Sequence, residues 1–345
     1  MKFDFVIGNP PYQDNTLGDN DTYAPPVYNK FMDEAYMVAD KVELIHPARF
    51  LFNAGSTPKA WNQKMLKDNH FKVLQYEEDS KKWFSNIEIK GGIAITYRDN
   101  ERNFGTIEIF TPYPQINTIL KKVKAVKNFQ SLSKIVISSY SYHFKEKLYH
   151  DFPELLGRLS KGHELDFKSN VFQKFSEVFR KTLEGDSEDS LKILGRKLNE
   201  RTYRYIKKVY VRDDVCNLYT YKVFLPGAIG NGDFGEVLSR PIIGEPGTGS
   251  TETFLSIGVL QTREEAENVI KYVCSKFART MLGVLKRTQA NTPDKWKYVP
   301  LQDFTDKSDI DWSVSIANID KQLYKKYGLS EEEITFIETN VKEME

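Results

Sequence analysis

Cysteine is scarce in this chain, which contains two cysteines among 345 residues. Cys216 and Cys274 lie far apart, with no CxxC spacing and no histidine partner nearby. This pattern argues against both a disulfide framework and a structural zinc site. The histidines also lack metal-ligand spacing, at positions His46, His70, His143, His150 and His163. Free thiols suit a reducing compartment, so we expect a cytoplasmic protein that binds no metal.

Long apolar runs are absent as well. No stretch approaches the about 20 apolar residues that a helix needs to cross a bilayer. The early charges at Lys2 and Asp4 also exclude a signal-peptide core at the start of the sequence. The net charge of +1 neither supports nor excludes a nucleic-acid partner, because acidic and basic stretches are local. With 40% hydrophobic residues, the chain can bury a sizeable core and form roughly two domains.

The first third alternates apolar strand-like runs with helical patterns, which is typical of α/β units. The pattern predicts strands at 3–7, 42–47, 71–76 and 92–97, and helices at 27–39 and 60–68. In the first helix, the spacing predicts a buried face of Val27, Phe31, Ala35 and Val38. We therefore predict that residues 1–112 form part of a doubly wound, Rossmann-like sheet.

The remainder has a different character, which predicts a mixed α+β domain over 113–304 and a helical tail over 305–345. Residues 159–188 are charged and helix-permissive, and 202–225 are rich in Tyr, Val and Lys. Glycines mark 227–258 as loop-dominated, with strand character at 251–257. Helical spacing predicts one helix over 263–285. A capping box at Ser330 and Glu333 predicts the start of a last helix.

The segment Asn9-Pro10-Pro11-Tyr12, directly after the first strand, carries the strongest chemical signal. Two prolines fix φ and remove two backbone donors, so the Asn9 side chain and the Pro10 carbonyl can act together as acceptors. The Tyr12 ring can stack on a planar heterocycle. This set suits a flipped-out base whose exocyclic amine is gripped during carbon transfer, with no basic group required. The alternative is a plain turn, but the carboxyl end of a strand in an open α/β sheet favours a ligand site.

Further segments follow this motif in a characteristic order, at 45–50, 87–92, 244–247 with 251–253, and 296–304. Together with 4–12 they resemble the catalytic and carboxyl-terminal portion of adenine-specific DNA methyltransferases from single-chain type II restriction-modification enzymes. The resemblance implies that Asn9 and Pro10 hold the adenine amine, that Tyr12 stacks the base, and that S-adenosylmethionine is the methyl donor. Tyr23 and Tyr28 are candidate walls of the base pocket, with ordinary packing as the alternative.

In that family, the elements that bind S-adenosylmethionine precede the catalytic motif. The segment 242–249 superficially resembles them, but it is too compact, and a β-branched strand follows where a helix should open. A permuted enzyme is the other interpretation of this segment. We expect the cofactor site in this chain to be incomplete, with Asn9 as its one candidate. The strand at 3–7 would then present a free apolar edge that pairs with a cofactor-binding methyltransferase subunit or another chain. The alternative is an incomplete methyltransferase that is inactive alone.

A basic stretch at 196–212 interleaves with tyrosines, which is a pattern suited to double-stranded DNA. Its candidate contacts are Arg201, Arg204, Lys207 and Lys208; a solvated protein face is the alternative. Lys286, Arg287 and Gln289 supply further groups able to reach phosphates or base edges. A function of another class also remains open, namely a non-catalytic DNA-binding or specificity subunit that keeps the Asn9–Tyr12 motif only as part of its fold.

Overall fold

A computed structural model describes residues 3–14, 24–53, 55–85, 89, 91–183, 189–198, 200–230, 233–286 and 289–344. The architecture is mixed α/β with several small sheets. The chain divides into two compact units, Met1–Asn117 and Thr118–Glu345. Each unit has a hydrophobic core of its own.

The first unit is built on a four-stranded sheet with helices between its strands. Its elements are β1 (Phe3–Gly8), α1 (Tyr28–Val38), β2 (Ala39–Pro47), α2 (Lys59–Lys67), β3 (Phe71–Glu77) and β4 (Ile93–Asp99). The helix α3 (Pro114–Ala125) crosses the division between the units. All four strands and both helices predicted for this region are present, with ends that differ by up to three residues.

The sheet has the strand order β1-β2-β4-β3. β1 and β2 are parallel and are joined through α1, whereas β4 pairs antiparallel with both β2 and β3. A β-α-β unit therefore places the ends of β1 and β2 at one edge of the sheet. A doubly wound arrangement stays a prediction, because the described strands of this unit contain one parallel pair.

The buried face of α1 differs from the predicted one. Tyr28, Asn29 and Met32 are buried, whereas Phe31 and Val38 are exposed. The buried stripe is thus shifted by about one residue, which is roughly 100° around a helix. The shift has a local cause, because the Tyr28 ring stacks on a histidine at the end of β2 and draws that side of the helix inward.

That histidine is His46, which is completely buried. Its ring lies 5.8 Å from the Tyr28 ring at an interplanar angle of 8°, and 5.3 Å from the Phe50 ring. Its Nε2 lies 2.7 Å from Thr96 Oγ1 on β4. Burial lowers the pKa of His46 from the ordinary 6.5 to about 4, since the charged imidazolium would lose its hydration.

The described part of the second unit contains three sheets. Its first elements are β5 (Val136–Ile137), β6 (Tyr142–Phe144), α4 (Lys147–Asp151), α5 (Val171–Lys174), β7 (Ser190–Lys197), β8 (Glu200–Lys207), β9 (Val211–Asp213) and β10 (Tyr221–Pro226). The remaining elements are β11 (Ile242–Gly244), β12 (Thr248–Ser250), β13 (Phe254–Leu260), α6 (Arg263–Cys274), α7 (Lys276–Gly283), α8 (Ile316–Lys326) and α9 (Glu331–Asn340). The strand orders are β11-β10-β13-β5, β12-β7-β8 and β6-β9.

Two helix predictions for this unit are wrong in extent. The predicted helix over 263–285 breaks at Ser275, whose side chain accepts a hydrogen bond from Ala278 N at 3.1 Å and so begins a new helix. The helix-permissive segment contains only the four-residue α5 among its described residues, 159–183. Its phenylalanines are buried in the core, at Phe167, Phe172, Phe175 and Phe179. Core packing therefore outweighs helix propensity in this segment.

The capping box of the last helix is confirmed. Ser330 Oγ accepts from the Glu333 amide, and Glu333 Oε2 accepts from the Ser330 amide at 2.7 Å. Within the described ranges, no helix is long and apolar enough to cross a membrane. The same ranges contain no group of three His, Cys, Asp or Glu side chains that could hold a metal ion.

We expect the first unit to lose stability in acid through His46. The unfolded state binds a proton below pH 6.5, but the folded state resists protonation until about pH 4. The unfolding free energy should therefore fall by about 3 kcal/mol between pH 7 and pH 4 from this group alone. Hydrogen exchange of the β2 and β4 amides, corrected for intrinsic rates, measures the fall. H46Q should flatten it, whereas H150Q, at an exposed histidine, should keep the wild-type dependence; equal slopes for all three proteins would refute the assignment.

Candidate active site and nucleic-acid interface

The segment Asn9–Tyr12 emerges from the carboxyl end of β1. In the parallel pairing, Gly8 lies opposite Leu44, so the continuation of β1 meets the edge where β2 ends at Pro47. The Asn9 side chain is exposed, and Pro10 and Tyr12 are half-buried. The motif therefore occupies the position at which open α/β sheets bind ligands.

Backbone hydrogen bonds hold the far end of the motif. Val27 N donates to Tyr12 O at 3.2 Å, and Asp14 N donates to Pro25 O at 2.9 Å. These bonds tie the segment around Tyr12 to the start of α1. Tyr23, a predicted wall of the base pocket, lies outside the described residues.

The Tyr12 hydroxyl is a buried polar group whose hydrogen bonding is unsatisfied within the part of the chain that the structure describes. Its oxygen is buried and has no hydrogen-bond partner among the described residues. Burial raises the pKa of Tyr12, and the nearby Asn9 amide offsets part of the rise without reaching hydrogen-bond geometry. Asn29 Oδ1, in the first turn of α1, is likewise buried without a partner. Two unsatisfied polar atoms thus belong to the two segments joined by the Val27–Tyr12 bond, which indicates a site built for something other than stability alone.

Tyr28 is part of the core of the first unit. Besides His46, its ring contacts Phe50 and Trp61, with centroids 6.3 and 6.4 Å away. Burial raises the pKa of its phenol to about 12. These contacts support the packing alternative for Tyr28 rather than a wall of the base pocket.

Arg49 is a site residue that the sequence did not single out. It follows β2 at the same edge as the motif, is exposed, and has no ion pair within the described part of the chain. A Cβ at Gly91, whose φ is +86°, would lie 2.5 Å from Arg49 Cγ. The glycine therefore leaves room for the arginine stem, and the pair Gly91-Gly92 was the available sequence signal.

The register of β7 and β8 separates the predicted DNA contacts into two faces. Every second side chain of β8 lies on the same face of the strand, and one face carries Arg201, Tyr203, Tyr205 and Lys207. Arg204 lies on the opposite face, where it donates to Tyr203 O at 2.7 Å and sits 5.9 Å from the Phe172 ring. Arg201 and Lys207 therefore share one face of β8, and Arg204 lies on the other face.

The other predicted contacts differ in accessibility. Lys207 is exposed and Lys208 is partly exposed. Gln289 is exposed, and its backbone carbonyl accepts from Ile229 N at 2.8 Å. Arg287 lies outside the described residues.

Lys286 is only 4% exposed. Its ammonium donates to Ile229 O at 2.8 Å and also forms an ion pair with Glu236. These partners satisfy the charge inside the protein, so we leave Lys286 out of the DNA-facing surface.

Comparison with known proteins relates the first part of the chain to DNA methylases. Residues 1–84 match the Eco57I restriction-modification methylase family. Over 96 residues, or 27% of this chain, the sequence is 36% identical to an uncharacterized adenine-specific methylase of Mycoplasma pneumoniae (strain ATCC 29342 / M129 / Subtype 1). The chain spans 23% of that protein's length. The Asn9–Tyr12 motif lies inside the region that matches the family.

Two solved structures are similar over most of this chain, at 11% identity each. They are the type IIG restriction endonuclease BpuSI, with a TM-score of 0.32 over 91% of this chain and 48% of the BpuSI chain, and the type IIL restriction-modification enzyme MmeI in complex with DNA, with a TM-score of 0.33 over 98% of this chain and 56% of the MmeI chain. This chain therefore spans about half the length of each.

Removal of the Tyr12 hydroxyl should not destabilise the first unit. Because the hydroxyl is buried without a partner, we expect Y12F to leave the unfolding free energy unchanged or to raise it by up to about 1 kcal/mol. The matched control is Y97F, in the same unit, since Tyr97 Oη donates to Asp99 Oδ2 at 3.0 Å. Y97F should lose about 1 to 2 kcal/mol. Hydrogen exchange of the β2 amides measures both, and a loss in Y12F equal to that in Y97F would contradict the unpartnered hydroxyl.

Proposed function

We propose that this chain is the catalytic and DNA-recognition part of a site-specific DNA adenine methyltransferase of a restriction-modification system. The observation that carries the proposal is the position of Asn9-Pro10-Pro11-Tyr12 at the carboxyl end of β1, inside the region that matches the methylase family. The reaction moves a methyl group from the sulfur of S-adenosylmethionine to the exocyclic amine of adenine, with S-adenosylhomocysteine and a proton as the other products.

In this proposal, the target adenine is flipped out of the duplex and enters the site beside β1. The Asn9 side-chain oxygen and the Pro10 carbonyl accept the two amine hydrogens, while the Tyr12 ring stacks on the base. Two acceptors favour tetrahedral nitrogen, which frees the lone pair for in-line attack. Arg49, at the same edge, would attract the phosphate of the extruded nucleotide.

The described residues fit the acceptor side of this reaction better than the donor side. The glycine-rich candidate at 242–249 runs from β11 through a turn at Gly247, with φ +81°, into β12. A strand-turn-strand element does not open a helix toward a ligand, which is what the family uses. We therefore assign no residue of this segment to the binding of S-adenosylmethionine. In this proposal, its binding site lies on another part of the methyltransferase.

The free side of β1 is where that part would attach. β1 pairs with β2 alone among the described strands. Three apolar side chains of β1 share one face of the strand. They are Phe3, Phe5 and Ile7, which are 52%, 46% and 73% exposed. An apolar edge strand with an uncovered face is a template for strand addition and helix packing. A donor-binding methyltransferase half that extends the sheet beyond β1 would cover all three side chains.

The role of Asn9 is tested by methyl transfer from labelled S-adenosylmethionine to duplex DNA. The assay includes the donor-binding half, supplied either as a separate protein or as another part of the same polypeptide. We expect N9A to lower kcat by at least about 100-fold, because it removes one of the two amine acceptors. Q13A is the control, because Gln13 is exposed directly after the motif and has no assigned role in holding the amine. This variant should keep wild-type activity.

Methylation and DNA binding by N9A, measured together, separate the two candidate functions. A methyltransferase in which N9A loses methylation but still binds DNA agrees with the proposal. Undiminished methylation by N9A would instead favour a non-catalytic DNA-binding or specificity subunit, in which the motif serves the fold.

The free edge of β1 is tested separately with I7K. Because Ile7 is 73% exposed, the substitution should change the unfolding free energy of the chain alone by less than about 0.5 kcal/mol. It should nevertheless abolish association with the donor-binding half in analytical ultracentrifugation. L74K is the control, since Leu74 is exposed on β3 at the opposite edge of the same sheet.

Two results would overturn the role of this edge. One is wild-type association by I7K. The other is micromolar binding of S-adenosylmethionine by the chain alone in calorimetry, because it would place a complete donor site within this chain.

A further inference from the structure

Two arginines face each other on a pair of neighbouring strands in the second unit. Arg196 on β7 lies directly opposite Arg201 on β8 in the antiparallel register. Cβ atoms of such pairs are about 5 Å apart, and like charges at this spacing destabilise a sheet. The arrangement therefore costs stability unless something of opposite charge offsets it.

The charge of a third guanidinium group reaches Arg201. Arg240 is exposed, and its charge acts on Arg201 together with that of Arg196. Burial is the main cause that lowers the pKa of Arg201, and the positive charges of Arg196 and Arg240 lower it further. We call Arg196, Arg201 and Arg240 the arginine triad.

Carboxylates do not neutralise the arginine triad. Across the described ranges, none of its three members forms an ion pair. Glu245, whose charge reaches the neighbouring Tyr203, is already paired with Arg263, its Oε1 lying 2.8 Å from the Arg263 Nη1. Positive charge thus accumulates on this face without an internal counterion.

Arg196 adds an independent observation. Its Nε is buried and has no acceptor among the described residues. The guanidinium sits 6.0 Å from the Phe254 ring, an aromatic contact that supports the group but accepts no conventional hydrogen bond. A buried donor of this kind destabilises the fold while it stays unsatisfied. An anion beside the two guanidinium groups would offset their repulsion.

We propose that the arginine triad is a binding site for one phosphodiester group of the DNA backbone. Guanidinium groups suit phosphate because their planar forks match its oxygens in bidentate geometry. The same face continues with Lys192, which lies 4.3 Å from the Tyr203 ring, and with Lys207 beyond it. Cations spread along two paired strands match a polymer of phosphates better than a single free ion. The proposal rests on the DNA-binding part of the proposed function.

The test measures binding of a fluorescein-labelled duplex by anisotropy between about 50 and 200 mM salt. R201Q should weaken binding by about tenfold at low salt, equally for unrelated duplex sequences, and should reduce the slope of log K against log salt by about 1. R201K, which keeps the charge, should recover most of the slope. R212Q is the matched control, because Arg212 already pairs with Asp214 at 2.7 Å.

Stability provides a second measurement that does not depend on DNA. Because R201Q removes one member of a repelling pair, its thermal midpoint without DNA should equal or exceed that of the wild type. A lowered midpoint would contradict the unneutralised pair. Inorganic phosphate should raise the midpoint of the wild type more than that of R201Q.

The outcomes separate this proposal from the proposed function. Wild-type affinity and salt slope in R201Q would overturn the arginine triad as a DNA contact, even where N9A abolishes methylation. Stabilisation by inorganic phosphate without any change in DNA binding would also overturn it, by assigning the site to a free anion. No DNA binding by the wild-type chain would refute both the triad and the DNA-recognition role.

Discussion

The parallel pairing of β1 with β2 is the constraint on which the candidate active site depends. Val6 packs against the core of the first unit, and its neighbours Phe5 and Ile7 point away from it. Because side chains alternate along a strand, a slip of one residue would expose Val6 and bury its neighbours. The register that buries Val6 therefore also determines where Asn9 leaves the sheet and which residues of β2 end beside it.

Two features of the chain conflict with local rules of stability. β1 presents a row of apolar side chains to solvent, and Arg196 faces Arg201 with no counterion among the residues that the structure describes. Folded proteins that are otherwise consistent tend to break such rules where they bind something. The conflicts differ in kind, since an apolar face calls for a protein partner and a cluster of guanidinium groups calls for an anion. Each unit thus carries its own physical reason to expect a partner.

Much of the first unit could be predicted from the pattern of apolar residues, because its strands and helices are short and separated by clear breaks. The capping box at Ser330 could also be predicted, since both of its hydrogen bonds are local. The break between two helices at Ser275 could not be predicted, because apolar residues at helical spacing continue on both sides of it. A serine that caps a new helix competes there with continuation, and Asp320 helps to decide the outcome by accepting from the amides of Lys276 and Phe277.

The chemistry of the Asn9–Tyr12 motif follows from the sequence by itself, because an amide, two prolines and a phenol ring carry their acceptors and stiffness wherever they lie. Tertiary structure alone decided which residues accompany them. It placed Tyr28 in the core and Arg49 beside the motif, separated Arg204 from Arg201, and buried Lys286 against Glu236. The physical reason is that exposure and partnership depend on strand register and on side chains distant in sequence, which no local pattern records.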